Sequence, residues 1–317
     1  MPPLPSDHPI RLARARLALE GLSVGDAFGQ RFFTHAPTAL HMIALRAVPR
    51  GPWAYTDDTE MALALYATLE AHGRVDPDAL AAAFAERYVA DPARGYGGTA
   101  HGILQGIAAG VPWAAAAGGV FGGAGSMGNG AAMRVAPAAA YFADDLDAAL
   151  GAAADAAAPT HAHPEGVAGA LAVAAACVYA WRATRDAAWR DANPSLMRFA
   201  WEHTPPGATR DGIATALHIG CEATVALAAS ALGTGVMVTA PDTVPYCVWC
   251  AERHLDGYEE ALWTTVEGLG DRDTTCAIVG GVVALARGSV IPAEWLAERE
   301  ALRFEVVRDP DAPVIER

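Results

Sequence analysis

The chain has no lysine. All 22 of its Lys-plus-Arg positions are arginine, set against 36 Asp and Glu, for a formal net charge of −14. So acidic a balance argues against a general nucleic-acid binder or an anionic-membrane binder, while leaving room for a small basic pocket. Cysteine is sparse and odd in number: Cys177, Cys221, Cys247, Cys250 and Cys276. That usage fits reduced thiols in a cytoplasmic protein. Cys247 and Cys250 have CxxC spacing but no second pair, so they read as buried thiols on a helix and not as a zinc site. No run of about 18 apolar residues is free of breakers, and no membrane span is expected. The N-terminus lacks a basic stretch followed by an apolar one, and no signal peptide is expected. Long β-branched alternations are missing too, and most segments repeat with a helical period. What remains is 53% hydrophobic and rich in alanine, enough for a sizeable core of closely packed helices. The expectation is one all-α domain over residues 1–317, with loose ends at about 1–9 and 303–317.

Two short acidic runs stand far apart in this helical background: Thr56-Asp57-Asp58-Thr59 and Asp271-Arg272-Asp273-Thr274. Each sits where an irregular segment gives way to a helical pattern, so each suits an N-cap. If the two converge, four carboxylates repel one another in a partly buried site. Divalent cations that prefer hard oxygen ligands, Mg²⁺ or Mn²⁺, would relieve that repulsion.

Other stretches punctuate the helices. A helix from Ile10 to about Val24 ends in Gly25-Asp26-Ala27-Phe28-Gly29, where glycines allow close backbone approach and Asp26 opens a loop. Residues 30–55 read as a long irregular segment. Asp76 and Pro77 suit the N-cap and first position of another helix. Arg94 and Tyr96, in a tight glycine loop, are placed to touch a ligand or simply to link two helices. The run from Phe121 to Gly130 feeds a helix at Ala131 and would present backbone N–H groups to an anion, typically phosphate; it lacks the lysine and the preceding strand of a nucleotide-binding P-loop. His161 and His163 precede a long apolar helix and serve as metal ligands or ligand-binding groups, or structurally as caps or backbone partners. Ile213–Leu232 and Pro245–Arg253 read as helical, residues 183–212 as polar and Pro-broken, and Pro292 as the start of a last short helix.

Taken together and in order, these pieces resemble the ADP-ribosylglycohydrolase family. The pieces are Gly21-Leu22-Ser23-Val24-Gly25-Asp26-Ala27-Phe28-Gly29, Thr56-Asp57-Asp58-Thr59, Gly128-Asn129-Gly130-Ala131-Ala132-Met133-Arg134, Thr160-His161-Ala162-His163 and Gly270-Asp271-Arg272-Asp273-Thr274. The resemblance implies a compact orthogonal multi-helix bundle with a dinuclear Mg²⁺ or Mn²⁺ centre. It implies metal ligands at Thr56, Asp57, Asp58, Asp271, Asp273 and Thr274. Asp26, Gly128, Asn129, Gly130, Met133 and His161 would line the ADP-ribose site, the glycines holding the diphosphate, with Tyr96 or Phe121 near the sugar or adenine. Asp57, Asp58 or Asp273 would serve as the acid or base. The implied partner is an ADP-ribosylated protein or other acceptor, with ADP-ribose as product.

Two positions depart from the family pattern. A glutamate that helps activate water or the scissile linkage is replaced by Phe33, and Gln30, Arg31 and Phe32 supply no acid nearby. Leu269 stands where a glycine often precedes the closing Gly-Asp. Three readings follow: a metal-dependent ADP-ribosylhydrolase, an ADP-ribose-binding or structural member with little activity, and a hydrolase of a small nucleoside-like metabolite.

Overall fold

Three glycines four residues apart decide how the centre of the molecule packs. Gly21, Gly25 and Gly29 lie on one face of the helix His8–Gln30. A Cβ on Gly25 would lie 2.1 Å from the carbonyl oxygen of Cys276, one on Gly29 2.1 Å from that of Arg272, and one on Gly21 2.4 Å from that of Gly280. The helix Arg272–Val283 therefore runs antiparallel along the first with backbones in contact. The glycines do not end the opening helix at Val24. It continues to Gln30, and Asp26 sits inside it instead of opening a loop. The helix cost of glycine is offset here by an approach that no other residue permits.

A computed structural model describes residues 3–306, which form eighteen α-helices and one short 3-10 helix. Among the described residues pairing of the β type is confined to two isolated bridges, Trp53 with Arg299 and Gly128 with Thr239. The fold class is thus all-α, as the helical periods suggest. Beyond the last turn of the opening helix, Phe28, Phe32, Trp53, Trp263 and Trp295 interlock with ring centroids 4.5–6.2 Å apart. Such ring packing adds to burial and fixes the direction in which the chain leaves the helix. The acidic helix Asp57–His72 is buried along most of its length. The long apolar helix Pro164–Ala183 is a core element, its most apolar window 78% covered by protein.

Several elements differ from the sequence expectation. Residues 30–55 contain a helix, Ala36–Ala44. The stretch Ile213–Leu232 is two helices, Ala208–Ile219 and Val225–Leu232, because Gly220 adopts a left-handed φ of 71° and Thr224 caps the second. The polar residues 183–212 contain Ala187–Ala192 and Leu196–Glu202, capped by Asp186 and Ser195. Asp76 caps Pro77–Ala90 as its sequence suggests. The start of the C-terminal segment is tied down and not loose. Arg87 donates to the carbonyls of Arg303 and Phe304, both at 2.9 Å, and Trp53 exchanges backbone bonds with Glu298 and Glu300. The rest of that expected tail, residues 307–317, lies outside the described residues.

Candidate functional site

The first acidic run is folded around a single buried carboxylate. Asp26, with no solvent exposure, accepts hydrogen bonds from the N–H and hydroxyl of Thr56 (2.9 Å each) and from the N–H and hydroxyl of Thr59 (3.1 and 2.5 Å). Its place is therefore that of an organiser of this turn and not a residue facing a ligand. Thr59 is the partner that the sequence alone did not single out. Thr56 is also the N-cap of Asp57–His72, its side chain accepting from the Asp58 N–H. The Asp57 N–H donates to the Arg94 carbonyl at 2.7 Å. Arg94 itself is a brace: it bonds Asp91, the Tyr55 carbonyl and Glu300, and stacks on Tyr55.

The closing run meets the first. Asp271 is the N-cap residue of Arg272–Val283, and its carboxylate accepts from the Asn129 side chain at 2.7 Å. Asp273 accepts from the Thr274 N–H at 2.8 Å. Burial, and after it the neighbouring carboxylates, raise the pKa values of Asp57 and Asp58 above the usual carboxylate range, Asp57 feeling Asp26 and Asp271, and Asp58 feeling Asp26, Asp273, Asp57 and Asp271. Asp273 is raised by burial and then by Asp271 and Asp26. The opening helix holds both runs, since Asp26 binds Thr56 and Thr59 while Gly29, one turn on, abuts Arg272 and the Asp273 Cα, so the fold brings the two runs together. Buried Arg134 supplies positive charge toward Asp57 and Asp58.

Whether this cluster suits divalent cations turns on its donors. They are carboxylate and hydroxyl oxygens, the hard type that Mg²⁺ and Mn²⁺ prefer. Asp58 Oδ1 is buried with no hydrogen-bond partner, and an orphaned anionic oxygen of that kind is costly without a cation. Among the described residues no three Asp, Glu, His or Cys side chains are gathered as a preformed cage. Asp271 and Asp273 are instead turned toward Asn129 and the Thr274 N–H. The residues fit such ions by donor chemistry.

The glycine loop packs on His161. A Cβ at Gly130 would come 3.2 Å from the His161 ring and one at Gly128 3.4 Å from its Nε2, so glycine here makes room for the imidazole. The Gly128 N–H bonds Ser126 Oγ, and the Asn129 N–H bonds the Val238 carbonyl at 3.3 Å. In this structure those two N–H groups face protein, which corrects their direct assignment to a diphosphate. Arg134 Nη2 donates to Thr160 Oγ1 at 2.7 Å, and that oxygen lies 2.7 Å from His161 Nδ1. The Thr160 hydroxyl thus ties the His161 ring to Arg134, while Nε2 is the ring nitrogen that faces the glycines. Burial and then Arg134 hold the His161 pKa down to about 3, so the ring is neutral. His163 caps the helix Pro164–Ala183 through Nδ1.

The remaining predicted positions divide. Met133 and Thr274 are buried beside the cluster. Tyr96 is buried edge-on to Tyr88 and His101, its hydroxyl without a partner. Phe121 is 65% exposed on the 3-10 segment, with a left-handed φ of 53°. Leu269 also has a positive φ, 60°, the conformation that explains why glycine suits that position. Phe33 is half-exposed, and the Arg272 guanidinium lies over its ring at 4.9 Å. A loop unmarked in the sequence, Thr234 to Thr239, is clamped between the two motifs: Asp271 N–H bonds the Thr234 carbonyl, and Gly128 pairs with Thr239. Cys247 and Cys250 are buried free thiols.

Comparison with known proteins gives a consistent picture. The sequence model described as ADP-ribosylglycohydrolase matches residues 7–312. Human ADP-ribosylhydrolase ARH3 is 36% identical over 141 residues, 39% of this chain and 38% of that protein. The zebrafish (Danio rerio) ADP-ribosylhydrolase ARH3 is 35% identical over 147 residues, 43% of this chain and 39% of that protein. The alignments thus span well under half of these relatives. A solved structure titled ADP-ribosylglycohydrolase-related protein complex superposes with a TM-score of 0.64 at 25% identity, covering 92% of this chain and 93% of the other.

Proposed function

The chain belongs to the ADP-ribosylglycohydrolase family, and from that membership we propose that it is a metal-dependent hydrolase of the glycosidic bond joining ADP-ribose to an acceptor, an ADP-ribosylated protein or other molecule. The observation that carries the reading is the meeting of two acidic helix N-termini on the opening helix, Asp26 binding the first and Gly29 abutting the second at Asp273 Cα, with Asp58 Oδ1 left buried and unpartnered. Thr56, Asp57, Asp58, Asp271, Asp273 and Thr274 are the residues that would hold two Mg²⁺ or Mn²⁺. When bound, the ions supply Lewis-acid charge that orients ribose hydroxyls and makes water a stronger nucleophile.

The chain's own residues do the rest. Cleavage at C1″ of the distal ribose passes through an oxocarbenium-like state, and a carboxylate cluster stabilises the developing positive charge. Asp57, Asp58 or Asp273 takes the proton of the attacking water. His161, neutral, contacts a ribose or phosphate oxygen. The reduced, mostly buried cysteines suit a cytoplasmic setting.

Asp57→Ala and Asp273→Ala test the reading. With Mn²⁺ or Mg²⁺ and an ADP-ribosylated peptide, the wild-type chain should release ADP-ribose, EDTA should stop it, and each variant should lose about 100-fold or more in rate. Calorimetric binding of ADP-ribose that is indifferent to metal and to both substitutions would refute the site. Tight binding without release from any substrate would favour a second reading, an ADP-ribose binder, which the missing acid at Phe33 supports.

A further inference from the structure

Arginines of different surroundings flank the carboxylate cluster. Arg134 is buried, and its terminal nitrogens bond the Gly130 and Ala156 carbonyls and Thr160. Arg272 stands between Asp271 and Asp273 on the first turn of the closing helix and is only partly buried. Its Nη1 donates to the Phe32 carbonyl at 3.0 Å, and its buried Nε has no partner. No ion pair among the described residues involves it. Its guanidinium lies over the half-exposed ring of Phe33. The backbone places this pair against the cluster, since Gly29, four residues before Phe33, touches the Arg272 carbonyl and Asp273 Cα. The rim of the cluster at this point thus carries a cation on an aromatic ring, and Gln30 to Phe33 offers no acid.

We propose that Arg272, seated on Phe33, is a specificity-determining residue that selects acceptors leaving C1″ as a stable anion, a carboxylate or a phosphate, over acceptors that need a proton to leave, an alcohol or a guanidine. This rests on the hydrolase reading above. A guanidinium does not give up a proton, so it cannot serve as an acid for a leaving group that needs one. It does pair strongly, and in two-pronged fashion, with carboxylate and phosphate oxygens. In the step it assists, the C1″–O bond breaks and the electron pair leaves on the acceptor oxygen, beside Arg272. Water adds to C1″ and its proton passes through a site carboxylate to solvent, giving ADP-ribose and a free carboxylate or phosphate. A cationic acceptor such as arginine is repelled by the same charge.

The test uses the full chain with Mn²⁺ and four linkages: ADP-ribosyl-glutamate ester and ADP-ribosyl-serine and ADP-ribosyl-arginine peptides, and an oligonucleotide carrying a terminal ADP-ribosyl phosphate. The ester or the phosphate should be released at least about 10-fold faster in kcat/KM than the serine or arginine linkage. Arg272→Gln should lower kcat on that favoured linkage about 100-fold, with ADP-ribose binding and thermal melting preserved, and Arg272→Lys should restore part of the loss. Faster release from serine or arginine, with the hydrolase reading intact, would overturn the selection. So would an Arg272→Gln variant that keeps the ester and phosphate rates. Release from none of the four would overturn the hydrolase reading and this inference with it.

Discussion

At the scale of single residues, His161 shows what one side chain owes to its neighbours. Its motif marks it in the sequence, but its protonation is set by burial and by Arg134, whose approach through Thr160 is a tertiary fact. The folded pKa, about 3, lies below the ordinary 6.5 because burial and then Arg134 disfavour the cation. The folded state therefore binds fewer protons than the unfolded chain between these values. This contribution to stability is complete above pH 6.5 and is lost as pH falls from 6.5 toward 3. In urea titrations at stepped pH, the wild-type chain should lose up to about 1.4 kcal/mol per pH unit relative to His161→Gln across that window. Parallel pH curves for the two would show that the ring is not held neutral.

At the scale of elements, the opening and closing helices were legible because their physics is local. The glycines of residues 21–29 mark a surface for close approach, and the acidic runs mark helix starts. Less legible were events that tertiary structure decides. The opening helix runs through Gly25 because its glycines face a backbone. The helix Ala36–Ala44 forms in a segment rich in helix breakers, with only Ala39 fully buried. The contact of the two central helices makes a sharp prediction. Gly25→Ala would drive a methyl group to 2.1 Å from the Cys276 carbonyl, forcing the helices apart at a cost of about 3 kcal/mol or more. Gly151→Ala, in the helix Leu146–Ala157 with nothing within 4 Å of its Cβ, should instead stabilise by about 0.5–1 kcal/mol. Equal losses in chemical denaturation would mean that the stripe is not a close contact.

At the scale of the whole molecule, the order of the motifs along the chain was enough to suggest the fold, while the charge balance explains its weak point. A chain of net charge −14 gathers five carboxylates in one cluster, Asp26, Asp57 and Asp58 buried and Asp271 and Asp273 partly buried, with Arg134 as a buried countercharge. The unfolded chain has no such concentration of carboxylates. Divalent cations that bind the cluster therefore favour the folded state by mass action, by about 2.7 kcal/mol at a concentration 100 times their dissociation constant. Melting should accordingly shift upward in Mg²⁺ or Mn²⁺ relative to EDTA, and NaCl at matched ionic strength should not reproduce the shift. Asp58→Asn tests where the effect arises. It keeps the side-chain shape but removes one of the charges, so its melting temperature in EDTA should move toward or above that of the wild type, while the increment from Mn²⁺ should shrink. An Asp58→Asn chain that gains as much from Mn²⁺ as the wild type would assign the stabilisation to the acidic surface at large and remove the cluster from the account.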